Sequence, residues 1–227
     1  MKRSTPGAVV IICLLAAAVG AKEAGDGAVL EFTFVQDAAV YEESDYGEPP
    51  QVAIWLEEVE TGKLQTVYVT YRTASGDFYG KVECQVSLPA WITAWRREFG
   101  KEEFPTPRDP LPEAITAATS TDSLVQTRAA VSRGKEYRYW IEMNVAGDFN
   151  AAYQLESEDL RLDYHGNGQP SLIYAGRISA VPGSSSVPVP FGHTDQYIYT
   201  DKLIENLDGF DTALACFTRI EVRCVEN

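Results

Sequence analysis

About eight short β-forming runs with turn signals between them, and almost no long amphipathic helix, predict an all-β protein. The expected architecture is an immunoglobulin/fibronectin type III-like antiparallel β-sandwich with one short Trp-bearing helix. The run KEYRYWIEMNV at 135–145 is the clearest single witness. Its alternation sets Tyr137, Tyr139, Ile141 and Met143 on one face and Arg138, Trp140 and Glu142 on the other.

The chain opens with Lys2 and Arg3, an apolar run over 8–19 and small residues up to Ala21. That is the pattern of a secretory signal peptide. The apolar run is shorter than the roughly 20 residues a bilayer-spanning helix takes. Cys13 lies inside it behind Val10, Ile11 and Ile12, without the small residues that precede a lipoprotein cysteine. The expected division is therefore a signal peptide over 1–21 and a single β-sandwich domain over 22–227. The mature chain is expected to be periplasmic or secreted, with no membrane insertion once the signal is removed.

A first strand is expected over 29–35 (VLEFTFV), then a polar, turn-rich stretch to Pro49-Pro50. Residues 51–59 and 64–73 form a hairpin, because Glu60-Thr61-Gly62-Lys63 puts a glycine where a left-handed turn position falls. Residues 81–86 make a short strand. Pro89, with Trp91 and Trp95 four apart, predicts a short helix laying both indoles on one side. Those indoles are expected to plug one end of the sandwich, a binding platform being the alternative use. Residues 100–112 hold four prolines and form an irregular connector. Further strands are expected over 124–131, 135–145, 170–180 and 213–225, with a Pro-, Gly- and Ser-rich loop over 181–200 and a helical turn at 201–207.

The formal net charge of the whole chain is −14, and removing Lys2 and Arg3 with the signal leaves −16. Such a surface repels phosphate backbones and anionic lipid, so no nucleic-acid partner is expected. Three cysteines survive export: Cys84, Cys216 and Cys224. The last two sit eight residues apart in one strand, roughly 26 Å when extended, which is beyond disulfide reach. Two arrangements stay open: a bridge from Cys84 to Cys216 or Cys224, or three buried thiols.

Familiar catalytic constellations are missing. His165 and His193 fall in no HExxH context, no GxSxG elbow occurs, and no CxxC pair is present for zinc. Asp163, His165, Asn167 and Gly168 resemble half of a calcium loop, but His165 is a poor calcium ligand and Tyr174 stands where a bidentate Glu belongs. A plain turn is expected there. A stand-alone enzyme is not the expectation.

One stretch carries chemistry. Residues 112–123 (PEAITAATSTDS) are mostly small or polar and are expected to form a loop presenting a hydroxyl, with Thr116 and Thr119 as the hydroxyls and a carboxylate at Glu113. Together with LEFTFVQ, the 51–69 hairpin, PAWITAW, GKEYRYWIEMN and GQPSLIYAGRI, this stretch resembles an uncharacterised family of bacterial predicted periplasmic proteins. The resemblance covers most of the mature chain. It implies an immunoglobulin-type sandwich often encoded near ApbE-type flavin transferases and membrane redox proteins. The transferase motif is Asp-x-x-(Ser/Thr)-Gly-Ala-(Ser/Thr), with FMN joined through its phosphate to the last residue. Laid over this chain, Glu113 takes the Asp position, Thr116 the fourth, Ala117 the Gly, Ala118 the Ala and Thr119 the acceptor. Glu113 moves the carboxylate by one methylene, and Ala117 adds a methyl where glycine serves close approach. The resemblance thus implies an extracytosolic electron carrier with FMN covalently attached to Thr119, its partners being a flavin transferase and a membrane redox protein. The alternative is a non-enzymatic envelope binding or assembly module with a decayed motif.

Overall fold

The computed structural model describes residues 27–79, 84, 87–111, 124–200 and 202–227, with the backbone of Thr116–Ala117. Strands β1 (Gly27–Gln36), β5 (Leu124–Ser132), β8 (Ser185–Ser186) and β10 (Phe217–Val225) build one sheet in the order β5-β1-β10-β8. The second sheet contains β4 (Thr116–Ala117), β3 (Leu64–Thr70), β2 (Gln51–Glu58), β6 (Glu136–Asn144), β7 (Leu172–Ser179) and β9 (Val189–His193), in that order. It is antiparallel throughout except for the two-residue β4, which runs parallel to β3. The expected all-β antiparallel sandwich is thus what the chain forms.

The core between the sheets follows from alternation. On β1 every second side chain, from Ala28 through Leu30 and Phe32 to Phe34, is buried. On β6 the inward set is Tyr137, Tyr139, Ile141 and Met143, the face expected from the sequence. Phe32 meets Tyr139 edge to face at 5.7 Å, joining the two layers.

β2 breaks the half-buried pattern: its residues are buried from Gln51 to Leu56. Val52, Ile54 and Leu56 join the central core, while Ala53 and Trp55 face a second cluster outside the larger sheet. Helix α3 (Pro89–Phe99) covers that outer face with Trp91, Ile92, Ala94 and Trp95. The helix and the burial of both indoles agree with the spacing. Their place does not: they roof the outer face of the larger sheet and plug no end of the sandwich. The reason is the apolar surface there, where Trp55 stacks on its cross-strand partner Trp140 at 5.7 Å and 13° and Val69 adds further area.

Several boundaries also move. The hairpin closes through Gly62 at φ 68, with its N–H on the Glu58 carbonyl at 2.8 Å. β3 stops at Thr70, short of the expected 73, because the chain coils into α2 (Tyr71–Ser75), where the Ser75 hydroxyl donates to the Tyr71 carbonyl at 2.7 Å. After the short α1 (Ala38–Glu42) there is no other helix before α2. Near the C-terminus, Asp211 accepts from the Thr212 N–H at 2.6 Å and starts α4 (Thr212–Ala215), delaying β10 to Phe217. The helical turn expected over 201–207 is not formed among its described residues. Ile204 instead exchanges two backbone hydrogen bonds of 2.9 Å with His193. The loop expected over 181–200 contains β8 and β9. Apart from Cys84, the strand expected over 81–86 and the signal segment 1–21 lie outside the described residues, as do Lys81 to Glu83.

Candidate functional site

Of the residues singled out for flavin attachment, Glu113, Ala118 and Thr119 lie outside the described residues. Thr116 and Ala117 form β4, paired with Val69 and Thr70 at the edge of the larger sheet. That pairing is parallel, so β4 runs in the direction of β3, which finishes at the end of the sheet where β2 begins.

A cavity of about 400 Å³ lies at that end. Its base is where β2 begins and β6 finishes: Gln51 pairs with Asn144. Thr70, the residue opposite Ala117, donates its hydroxyl to Gln51 Oε1 at 2.7 Å and accepts from the Val52 N–H at 3.2 Å. One hydroxyl therefore links the β4 anchor to the cavity base. Thr73 of α2 adds a second hydroxyl on Gln51 Oε1 at 3.3 Å.

The walls come from five separate stretches of chain and include Tyr46, Arg72, Phe78 and His165. Arg72 forms an ion pair of 2.7 Å with Glu48, both partly exposed, so the rim has no net charge from this pair. Tyr46 is held by close approach to glycine. A Cβ at Gly166 would lie 1.9 Å from the Tyr46 hydroxyl oxygen, and Gly166 has φ +63. Only glycine meets both demands. Partial burial, then the Asp163 and Asp45 carboxylates and Cys84, raise the Tyr46 hydroxyl above its ordinary pKa, so it stays protonated at neutral pH.

Asn144 is the most informative wall residue. Its Nδ2 donates to the Gln169 carbonyl at 3.1 Å. A backbone carbonyl only accepts, so that bond fixes the amide and makes the other atom Oδ1. Oδ1 is buried and has no hydrogen-bond partner. An orphaned buried acceptor costs about 1–3 kcal/mol.

A second polar feature lies under α3. Glu142 is fully buried, and its carboxylate accepts from the Ala90 N–H at 3.1 Å, the Trp91 N–H at 2.6 Å and the Ser171 hydroxyl at 2.6 Å. The N-cap position of α3 is Leu88, which offers no capping side chain. Glu142 supplies the missing acceptor from another element and sets its charge at the positive end of the helix dipole. Burial nevertheless dominates and pushes its pKa up to about 7, with those three hydrogen bonds pulling the other way. This is a helix cap supplied from a neighbouring strand.

Other expectations resolve simply. The Asp163–Gly168 segment is a turn: Asp163 Oδ2 accepts from the Gly168 N–H at 2.9 Å and its carbonyl from the Gly166 N–H at 3.1 Å. Among the described residues no group of three or more His, Cys, Asp or Glu side chains could hold a metal, and no helix is long and apolar enough to cross a membrane. Cys216 and Cys224 are free, buried thiols, so neither is bridged to Cys84, whose sulfur lies 3.7 Å from Asn167 Oδ1. Burial pushes the Cys216 thiol up to about 12, and it is inert at neutral pH.

Nothing local in the sequence marks Asn144, Tyr46 or Arg72 as neighbours, since they come to one cavity only when β6, α2 and the turn before β2 converge. The chain matches no family model, no curated protein and no solved structure.

Proposed function

We propose that this protein is an exported sandwich of immunoglobulin type that carries FMN on Thr119 and passes electrons outside the cytoplasm to or from a membrane redox protein. The observation that supports the reading is the segment EAITAAT over 113–119, of which Thr116 and Ala117 pair with the end of β3. A flavin transferase makes the bond: the Thr119 hydroxyl loses its proton, its oxygen bonds the FMN phosphorus, and flavin–adenine dinucleotide, the donor, releases AMP. Bound flavin supplies reversible one- and two-electron redox chemistry. The chain's own residues supply the attachment point, the anchoring of the loop and a partly apolar cavity of a size ordinary for small ligands.

Co-expression with a flavin transferase is expected to give a band that stays fluorescent after denaturation, with a mass raised by one FMN less water. Thr119→Ala is expected to lose both signals. A wild-type protein of unmodified mass under those conditions sinks the reading.

A second reading, an envelope binding or assembly module, draws on edge strand β9, where Val189 and Phe191 are exposed. Under it Thr119→Ala is silent, while Val189→Asp with Phe191→Asp abolishes co-fractionation with the envelope.

A further inference from the structure

We infer that residues 202–210 are a strap over the edge of β9 that comes free when His193 takes up a proton. Among the described residues β9 is the outer strand of the larger sheet on that side, and Ile204 covers its end. Ile204 donates to the His193 carbonyl and accepts from the His193 N–H, both at 2.9 Å. The strap crosses so closely that a Cβ on Gly192 would lie 2.8 Å from the Ile204 carbonyl oxygen. Its other ties are the Gly209 carbonyl, which accepts from Asn150 Nδ2 at 2.9 Å, and the buried ring of Phe210. Lys202, Ile204 to Asn206, Asp208 and Gly209 are exposed. A segment with so little buried apolar contact opens more readily than the sheet beneath it.

His193 is the link between strap and sheet. Its ring is buried against Tyr153 and Phe210, with centres 6.1 Å and 4.9 Å away. Nδ1 donates to the Thr194 carbonyl at 2.6 Å, because a carbonyl only accepts. Burial works against a proton on the ring and is the larger effect; the Thr194 carbonyl, the Asn206 carbonyl of the strap and the Asp195 carboxylate work for it. The other titratable groups on the packed elements are Tyr153, in the loop after β6, and Glu205 and Asp208 in the strap. Tyr153 is uncharged, its hydroxyl pushed up to about 12 by burial and then by Asp208. The cross-strand neighbour on β7 is Leu172, which does not titrate. Glu142 is reached only through two hydroxyls, Thr194 to Ser171 at 2.8 Å and Ser171 to Glu142 at 2.6 Å. With the strap closed the ring binds a proton more weakly than a histidine in water. Lifting the strap lets water reach it, so opening gains ground as the pH falls below about 6.5, the ordinary histidine value.

The test is hydrogen exchange of the full chain between pH 7.5 and pH 5, corrected for the intrinsic pH dependence of amide exchange. The Ile204 N–H, bonded to the His193 carbonyl, reads the strap, and the amides of β6 read the core. Wild-type Ile204 is expected to be less protected than β6 and to lose up to about tenfold in protection per pH unit below about 6.5, the limit for uptake of one proton. His193→Gln is expected to remove that pH dependence at Ile204; Glu142, which titrates in the same window, is present in both proteins. Gly192→Ala, which crowds the Ile204 carbonyl, is expected to lower Ile204 protection on the order of tenfold already at pH 7.5. Ile204 exchanging only together with β6, or the same pH dependence in His193→Gln, overturns the inference. The wild-type ring signal of His193, followed by NMR, gives an answer without any substitution. Loss of Ile204 protection should track its titration. A ring that titrates, or stays neutral to pH 5, while Ile204 keeps its protection also overturns the inference.

Discussion

Glu142 concentrates the fold's electrostatics in one side chain. Its folded pKa is raised from 4.5 to about 7, so the native state holds a proton more tightly than the unfolded chain between those values. The stability it contributes is therefore complete below about 4.5 and is lost as pH rises through about 7. A shift of that size corresponds to on the order of 3 kcal/mol. His193 works the other way, its pKa lowered chiefly by burial, so total stability is a poor readout and the difference from a variant is a good one. Thermal unfolding of wild type and Glu142→Gln from pH 5 to pH 8 is expected to show the wild type losing ground steadily up to about pH 7 and none beyond. A pH-independent gap between the two counts against the buried-acid account. The alternation in KEYRYWIEMNV assigns Glu142 its face correctly; it carries no sign that α3 covers that face. Asn144 is less legible still, since what makes it special is the Gln169 carbonyl that fixes its amide and leaves Oδ1 buried without a partner. Composition predicts a loop at Thr116 and Ala117, and the structure instead pairs their backbone with β3 as a short parallel strand, a long-range contact that small residues do not announce.

At the scale of elements, α3 is the piece whose role changed most. Its spacing of Trp91 and Trp95 is enough to predict a helix with an apolar side, but periodicity along one segment cannot say which surface receives that side. The answer lies in β2, where Ala53 and Trp55 look outward from a strand whose alternate residues fill the central core. Trp91 is fully buried, its ring is 6.3 Å from that of Trp95, and its indole N–H donates to the Thr66 hydroxyl at 3.3 Å. Glu98 adds a second tie, accepting from the Thr66 N–H at 2.8 Å. Arg96 closes the far side, its guanidinium 4.7 Å from the Phe104 ring centre and 5.1 Å from that of Tyr199. Trp91→Ala is expected to cost about 3–5 kcal/mol, the range for emptying a buried aromatic site. Arg97→Ala, on the exposed side of the same helix, is expected to stay within about 0.5 kcal/mol. Denaturant unfolding of the pair checks both; near-equal losses would mean that α3 is not a structural roof and that the indoles serve something else.

At the scale of the whole molecule, the described residues form three layers: a four-stranded sheet, a larger sheet buried on both faces of its central strands, and α3 with its neighbours on the outside. The number and the alternation of the strands make the sandwich legible from sequence, because period-two patterning survives in β1, β5 and β6. The third layer is not legible, because a strand buried on both faces reads as a plain apolar run and hides which side is which. The small sheet also depends on the two ends of the domain. β1 lies between β5 and β10, and the β1–β10 register joins Val29 to Val225 and Phe34 to Ile220. Contacts that distant in sequence are paid for in loop-closure entropy before they stabilise anything, so this sheet is expected to form late and to open as a unit. Cys216 precedes β10 and Cys224 lies near its end, both buried as free thiols. They report on that opening without any engineered probe. A thiol reagent applied to the native protein is expected to label Cys216 and Cys224 at one common rate, and that rate is expected to rise with denaturant as steeply as global unfolding does. Labelling of Cys224 far ahead of Cys216 would show β10 fraying from its C-terminal end, and the two chain ends would then not close the sheet cooperatively.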